Sequence, residues 1–134
     1  MNVVLDTNVL VSAGLTPHGK SAQVFNAVID SGKTHLFYSF EMFAEYEEVL
    51  SRPKLKLSNT VQQFYLNAVK AFGKLIIPCV STVSMPDEGD RIFYDTAKET
   101  GAILVTGNVK DYPDEDFIIT PAQFLEFFEK FLNS

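Results

Sequence analysis

Asp6 stands directly after the β-branched run Val3-Val4-Leu5, in the order Val-Leu-Asp-Thr-Asn. A carboxylate there projects from the carboxyl edge of a sheet toward a central cleft, where it can hold a cation or meet an electrophile. The competing role is capping the backbone N–H groups of the turn that follows. Asp90 precedes Phe93, Tyr94 and Ala97 by three, four and seven residues, on the helix face that packs inward. Apolar neighbours desolvate a carboxylate in that place, so it needs a metal or a donor network to offset the penalty. Asp87 and Glu88 suit a cap and a first turn favoured by the helix dipole. Glu45 and Glu47 flank the two edges of the apolar face Met42, Phe43, Tyr46, Val49 and Leu50, and periodicity does not choose between them. Val105-Thr106-Gly107-Asn108 joins a hydroxyl, a flexible residue and an amide at a strand end, as needed for close approach to a ligand or for a plain turn.

The elements that must position these residues alternate. Strands are expected at Val3–Leu5, Leu36–Tyr38, Leu75–Ile77, Ile103–Val105 and Phe117–Ile119. Helices are expected over Ser21–Ile29, where Gly32 follows as a stop signal, over Phe40–Leu50, and from a Ser58 cap to Phe72. The third of these has Val61, Phe64, Tyr65, Ala68, Val69 and Phe72 as its apolar face. A further helix covers roughly Glu88–Thr100, and Thr120-Pro121 opens a last one with Phe124, Phe128 and Phe131 in register. The pattern implies an α/β fold whose mostly parallel sheet is covered on both faces and collects ligands at the carboxyl ends of its strands.

The 134 residues, 46% of them hydrophobic, suffice for one core and one domain spanning 1–134. No apolar run reaches the roughly 18 residues of a membrane span, and the start lacks a leader pattern, so a cytoplasmic location is expected. Cys79 is the only cysteine and His18 and His35 are the only histidines, which excludes an internal disulfide and a Cys/His zinc site. Any metal is therefore oxygen-bound. With 11 basic against 17 acidic residues, the net charge of −6 is the wrong sign for holding nucleic acid by phosphate neutralisation alone. The excess acid either keeps the surface soluble or gathers at a cation site.

Four segments, in order, carry a resemblance: Val4-Leu-Asp-Thr-Asn-Val-Leu-Val-Ser-Ala13, Glu45-Tyr-Glu-Glu-Val-Leu-Ser-Arg-Pro53, Asp90-Arg-Ile-Phe-Tyr-Asp-Thr-Ala97 and Ile103-Leu-Val-Thr-Gly-Asn108. The ordered set resembles the PIN-domain nucleases, in particular the branch of toxins from bacterial toxin–antitoxin pairs. The resemblance implies a three-layer α/β/α fold and a ribonuclease dependent on Mg²⁺ or Mn²⁺. It maps the family's metal-binding acids to Asp6, Glu45 and Asp90, and so selects Glu45 over Glu47. Where the family commonly has a fourth acid this chain has Asn108, whose amide brings one carbonyl oxygen and no charge. Asp111 and Asp95 are the acids nearest that gap, outside the motif. Thr7, Asn8 and Thr106 are expected to orient the acids or the attacking water.

An RNA substrate and an antitoxin protein follow as partners. The Phe-rich stretch Phe124-Leu-Glu-Phe-Phe-Glu-Lys-Phe131 points to a dimer or antitoxin interface, or else closes the core around Phe127. Two other functions fit parts of the pattern. Asn108 in place of an acid suits a non-catalytic PIN-like module that binds RNA or protein. Asp6 after a first strand also suits an aspartyl nucleophile for phosphotransfer, although no second Asp follows two residues on.

Overall fold

The computed structural model describes residues 1–134. In chain order it contains β1 (Asn2–Leu5), α1 (Thr7–Leu15), α2 (Lys20–Asp30), β2 (His35–Tyr38), α3 (Phe40–Leu50), α4 (Asn59–Phe72), β3 (Gly73–Leu75), α5 (Arg91–Thr100), β4 (Ile103–Val105), β5 (Ile118–Ile119) and α6 (Pro121–Leu132), with short 3₁₀ turns at Pro53–Leu55, Glu88–Asp90 and Val109–Asp111. The sheet runs β3-β2-β1-β4-β5, and every pairing is parallel. Helices cover it on both faces, giving the expected three-layer α/β/α fold. Val3, Val4 and Leu5 are fully buried, as a central strand covered on both sides requires.

The order of the strands decides where chemistry can sit. From β1 the chain moves outward through β2 and β3, then returns to the other side of β1 to lay down β4 and β5. The carboxyl ends of β1 and β4 therefore flank the switch point, where the crossover connections diverge and leave a crevice. Leu5 is in register with Val105, so the next residues, Asp6 and Thr106, emerge side by side. The ladder continues past the strands: Asp6 N–H donates to the Val105 carbonyl at 3.0 Å, and Thr106 N–H to that of Ile119 at 2.9 Å.

Local signals set most helix ends. Ser39 caps α3 by accepting from Met42 N–H, and Ser58 caps α4 by accepting from Val61 N–H. Thr120 and Gln123 form a reciprocal capping box at α6. Gly101 ends α5 with φ of 61°, in the left-handed region that glycine adopts freely.

Four elements differ from the sequence reading. The segment after Asp6 is a helix, α1, because Val9, Leu10 and Ala13 bury together against the sheet and override their mixed propensity. β3 spans Gly73–Leu75 and not Leu75–Ile77, leaving Ile77 outside the sheet and 84% exposed. Helix α5 starts at Arg91, after a 3₁₀ turn over Glu88–Asp90. On α4 the buried residues are Tyr65, Leu66 and Val69, while Phe64 and Phe72 are exposed. In α6, Phe124 and Phe128 close the core and Phe127 faces outward, 46% exposed.

Gly73 makes the turn from α4 into β3. A Cβ there meets the Val69 carbonyl oxygen at 2.5 Å and the Tyr38 ring at 2.8 Å. Gly73→Ala is expected to lower stability by about 1–3 kcal/mol through overpacking. Urea denaturation monitored by circular dichroism checks this, and an unchanged midpoint contradicts the packing described.

Candidate active site

At the end of β1, Asp6 occupies the N-cap position of α1, yet its side chain caps nothing. Its Oδ2 instead accepts from Thr106 Oγ1 at 2.8 Å, from Tyr112 OH at 2.8 Å and from Asn8 Nδ2 at 3.4 Å. All three side-chain donors fall on one oxygen, which leaves Oδ1 free of them. The arrangement is locked from β4: Asn8 Oδ1 accepts from Gly107 N–H at 2.9 Å, and Thr106 Oγ1 accepts from Asn108 N–H at 3.0 Å. Burial outweighs the donors and raises the Asp6 pKa above the ordinary carboxylate value.

Helix α3 brings Glu45 to the same edge, half-buried, with Thr7 Oγ1 donating to its Oε2, while Glu47 faces solvent. Tyr46, the next residue, is buried and donates to the Leu5 carbonyl, fixing α3 against the end of β1. Burial and then Asp6's charge raise the Glu45 pKa, with the Thr7 donor and Arg52 opposing. Asp90 sits at the N-cap position of α5 and makes no capping bond, because Asp87 accepts from Gly89 N–H in the preceding turn. Its pKa is raised to about 7, first by burial and then by the charges of Asp6, Asp87, Asp111 and Glu45. No cation stands among those causes.

The carboxylates feel one another without closing into a cage. Nowhere in the chain do three Asp, Glu, His or Cys side chains stand together as a ready metal-ligating group, so the expectation of three acids already placed to share one cation is not met. The donor chemistry nevertheless fits a hard divalent ion that retains waters: desolvated oxygens, one of them free on Asp6, and no counter-ion. Asn108 is exposed, and its Nδ2 donates to Asp111 Oδ2 at 2.6 Å, leaving its carbonyl oxygen free. Asp111 thereby joins this edge. Asp95 does not, being held beneath residues 79–81, where it accepts from Ser81 N–H. None of the molecule's five cavities is lined by Asp6, Glu45 or Asp90; the edge is open, as suits a polymer.

A PIN-domain family model matches residues 2–110. The chain belongs to the PIN-domain family. PIN domains are generally nucleases, and the match includes Asp6, Glu45, Asp90 and Asn108 but stops before Asp111 and Tyr112. An uncharacterized protein of Methanocaldococcus jannaschii is 29% identical over 99% of this chain and 95% of its own length. A chain from the crystal structure of VapBC2 from Rickettsia felis, bound to a DNA fragment from their promoter, shares the fold with a TM-score of 0.58. That likeness covers 90% of this chain and 97% of the other, at 18% identity.

Tyr112 is the site residue that sequence reasoning missed. Its hydroxyl on Asp6 comes from the 3₁₀ turn after β4, and the one sequence signal was a lone aromatic in the polar run 106–116. Asp6's charge and burial raise its own pKa, so it stays a donor.

The raised Asp90 pKa fixes a pH dependence. The folded metal-free protein holds this proton up to about pH 7, whereas the unfolded chain releases it near 3.8. The folded state binds more protons in that window, so its stability falls as pH rises from about 4 to above 7. Asp90→Asn removes the charge and is expected to raise the melting temperature in EDTA at pH 8, with the gap closing near pH 4. Scanning calorimetry of both proteins at the two pH values checks the sign; a variant less stable than wild type at pH 8 contradicts it.

Proposed function

We propose that the chain is a divalent-metal-dependent endoribonuclease, the toxin of a toxin–antitoxin pair acting in the cytoplasm. The observation that carries the reading is the set of desolvated, mutually repelling carboxylates of Asp6, Glu45 and Asp90 at the switch point of a PIN-domain sheet, with no cation acting on Asp6 or Asp90. Mg²⁺ or Mn²⁺ held there supplies charge to offset the phosphate and lowers the pKa of water. Asp6, Glu45 and Asp90 are its proposed ligands, with the free oxygen of Asn108 and Asp111 completing the edge.

The protein's own contribution is positioning. Thr106 and Tyr112 hold Asp6 by one oxygen, which turns the other toward the opening. Thr7 orients Glu45, and Asn8 clamps β1 to the loop after β4. Asp90 has no side-chain donor, so it is the acid most dependent on a cation to stay ionised. An aspartyl phosphotransfer site has less support, because no lysine or arginine acts on Asp6 to hold a transferred phosphoryl group.

The RNA substrate rests on the resemblance to the toxin branch. A protein partner is supported by that resemblance and by fold likeness to a chain of the VapBC2 complex. Phe127, Phe131 and Leu132 on α6 offer an exposed apolar face for a second copy or an antitoxin. No helix is long and apolar enough to cross a membrane.

The second reading, a catalytically weak RNA- or protein-binding module, is favoured by Asn108 spending its amide on Asp111. One assay separates the two. Purified protein with labelled RNA is expected to cleave in Mn²⁺ and not in EDTA. Asp90→Asn is expected to lose ~100-fold or more, since each ~1.4 kcal/mol of lost transition-state stabilisation is tenfold in rate. RNA retained intact by metal-loaded wild type favours the binding module, and cleavage by Asp90→Asn at the wild-type rate rules out the carboxylate mechanism.

A further inference from the structure

After β3 the chain leaves the sheet. Ile76 N–H still donates to the Tyr38 carbonyl at 2.9 Å, but residues 77–85 form no helix or strand. This strap is tied down from α5. Asp95 Oδ2 accepts from Ser81 N–H at 3.1 Å, and Arg91 donates to the Ser81 carbonyl and hydroxyl, both at 2.9 Å, and to the Val83 carbonyl at 2.6 Å.

One atom in this arrangement is left over. Asp95 is only 4% exposed, and its Oδ1 is the chain's one buried side-chain polar atom with no hydrogen bond. An orphaned carboxylate oxygen is expensive to bury, which calls for a donor. Asp95 lines a cavity of about 220 Å³ together with Glu41, Glu88 and Arg91, with Ile77 and Val80 among its apolar walls. Arg91 is matched to Glu88 at 2.8 Å, whereas neither Glu41 nor Asp95 forms an ion pair. The mouth therefore carries uncompensated negative charge. Ile77 and Val80, 84% and 81% exposed, are the most exposed large apolar side chains of the molecule.

We propose that this cavity receives the side chain of an arginine carried by an apolar segment of a protein partner. Its volume is below the roughly 300 Å³ of a typical small-ligand pocket and suits one long side chain. Arginine fits better than lysine because its planar fork reaches several acceptors at once and is more weakly hydrated, so it can serve Asp95 Oδ1 and Glu41 together. The apolar stem lies along Ile77 and Val80, and the flanking residues of the partner cover them. The inference deepens the partner half of the proposed function and rests on that reading for the partner's role. Its test needs neither metal nor RNA.

The probe is the capped tripeptide acetyl-Leu-Arg-Leu-amide, titrated into ¹⁵N-labelled full-length protein in EDTA, beside the same peptide with neutral citrulline for arginine. Saturable amide shifts centred on Val80, Ser81 and Asp95 are expected, with at least several-fold weaker binding of the citrulline peptide. Glu41→Gln, an exposed change that leaves the fold intact, is expected to weaken the arginine peptide several-fold. Asp95→Asn keeps an acceptor for Ser81 while placing a donor where the orphan oxygen was, and is expected to abolish binding. Equal binding of both peptides, shifts centred on Asp6 and Asp90, no saturable shift, or a Glu41→Gln variant indistinguishable from wild type overturns the proposal. RNA cleavage bears only on the nuclease reading, so the two can fail separately.

Discussion

Taking Asp6 out of water is the constraint on which the rest of the structure depends. A carboxylate at the end of a fully buried central strand pays a desolvation penalty that three side-chain donors on one oxygen do not cancel, since its pKa remains raised. Each neighbouring acid compounds this. Glu45 and Asp90 approach from different helices, and each reports Asp6 among the charges that raise its own pKa. A fold built only for stability gains nothing from such repulsion, and it fits a family whose members are generally nucleases. The price is met by the frame around it: the β1–β4 ladder, Tyr46 tying α3 to Leu5, and Asn8 tying α1 to Gly107.

The same frame explains why the edge stays open. Donors from β4 and the turn behind it satisfy Asp6 from one side, so the acids face solvent from the other without a basic residue between them. Asn108 fits this pattern as a positioning group for Asp111. A neutral amide can donate to a neighbouring carboxylate; a fourth acid in its place adds repulsion unless a cation is present.

Much of this was legible from residue types and spacing. The alternation of strand and helix gave the parallel sheet, and the inward face of Phe93, Tyr94 and Ala97 singled out Asp90 as a carboxylate in an apolar setting. Glu45 and Glu47 were not separable by periodicity, because both edge the same face; the contact with Thr7, 38 residues away, distinguishes them. Helix α1 was hidden because its Val- and Leu-rich sequence carries no polar period, being buried against the sheet and neighbouring helices. Tyr112 was hidden because its partner lies 106 residues away, a proximity set by strand order and not by local pattern. The misplaced β3 has a similar cause: Leu75, Ile76 and Ile77 read as a strand, but the close contact of Gly73 with Tyr38 starts the pairing two residues earlier.

If the carboxylates at the switch point are built to receive a divalent ion, that ion should find them in a crystal. Anomalous diffraction from crystals soaked in Mn²⁺ at pH 7.5 locates it without reference to activity. The account predicts a peak at the carboxyl ends of β1 and β4, bonded to the free oxygen of Asp6 and drawing Glu45 and Asp90 inward from their positions here. A structure with Mn²⁺ bound only at other acids, such as Asp114 and Asp116, and the three carboxylates unmoved, contradicts it.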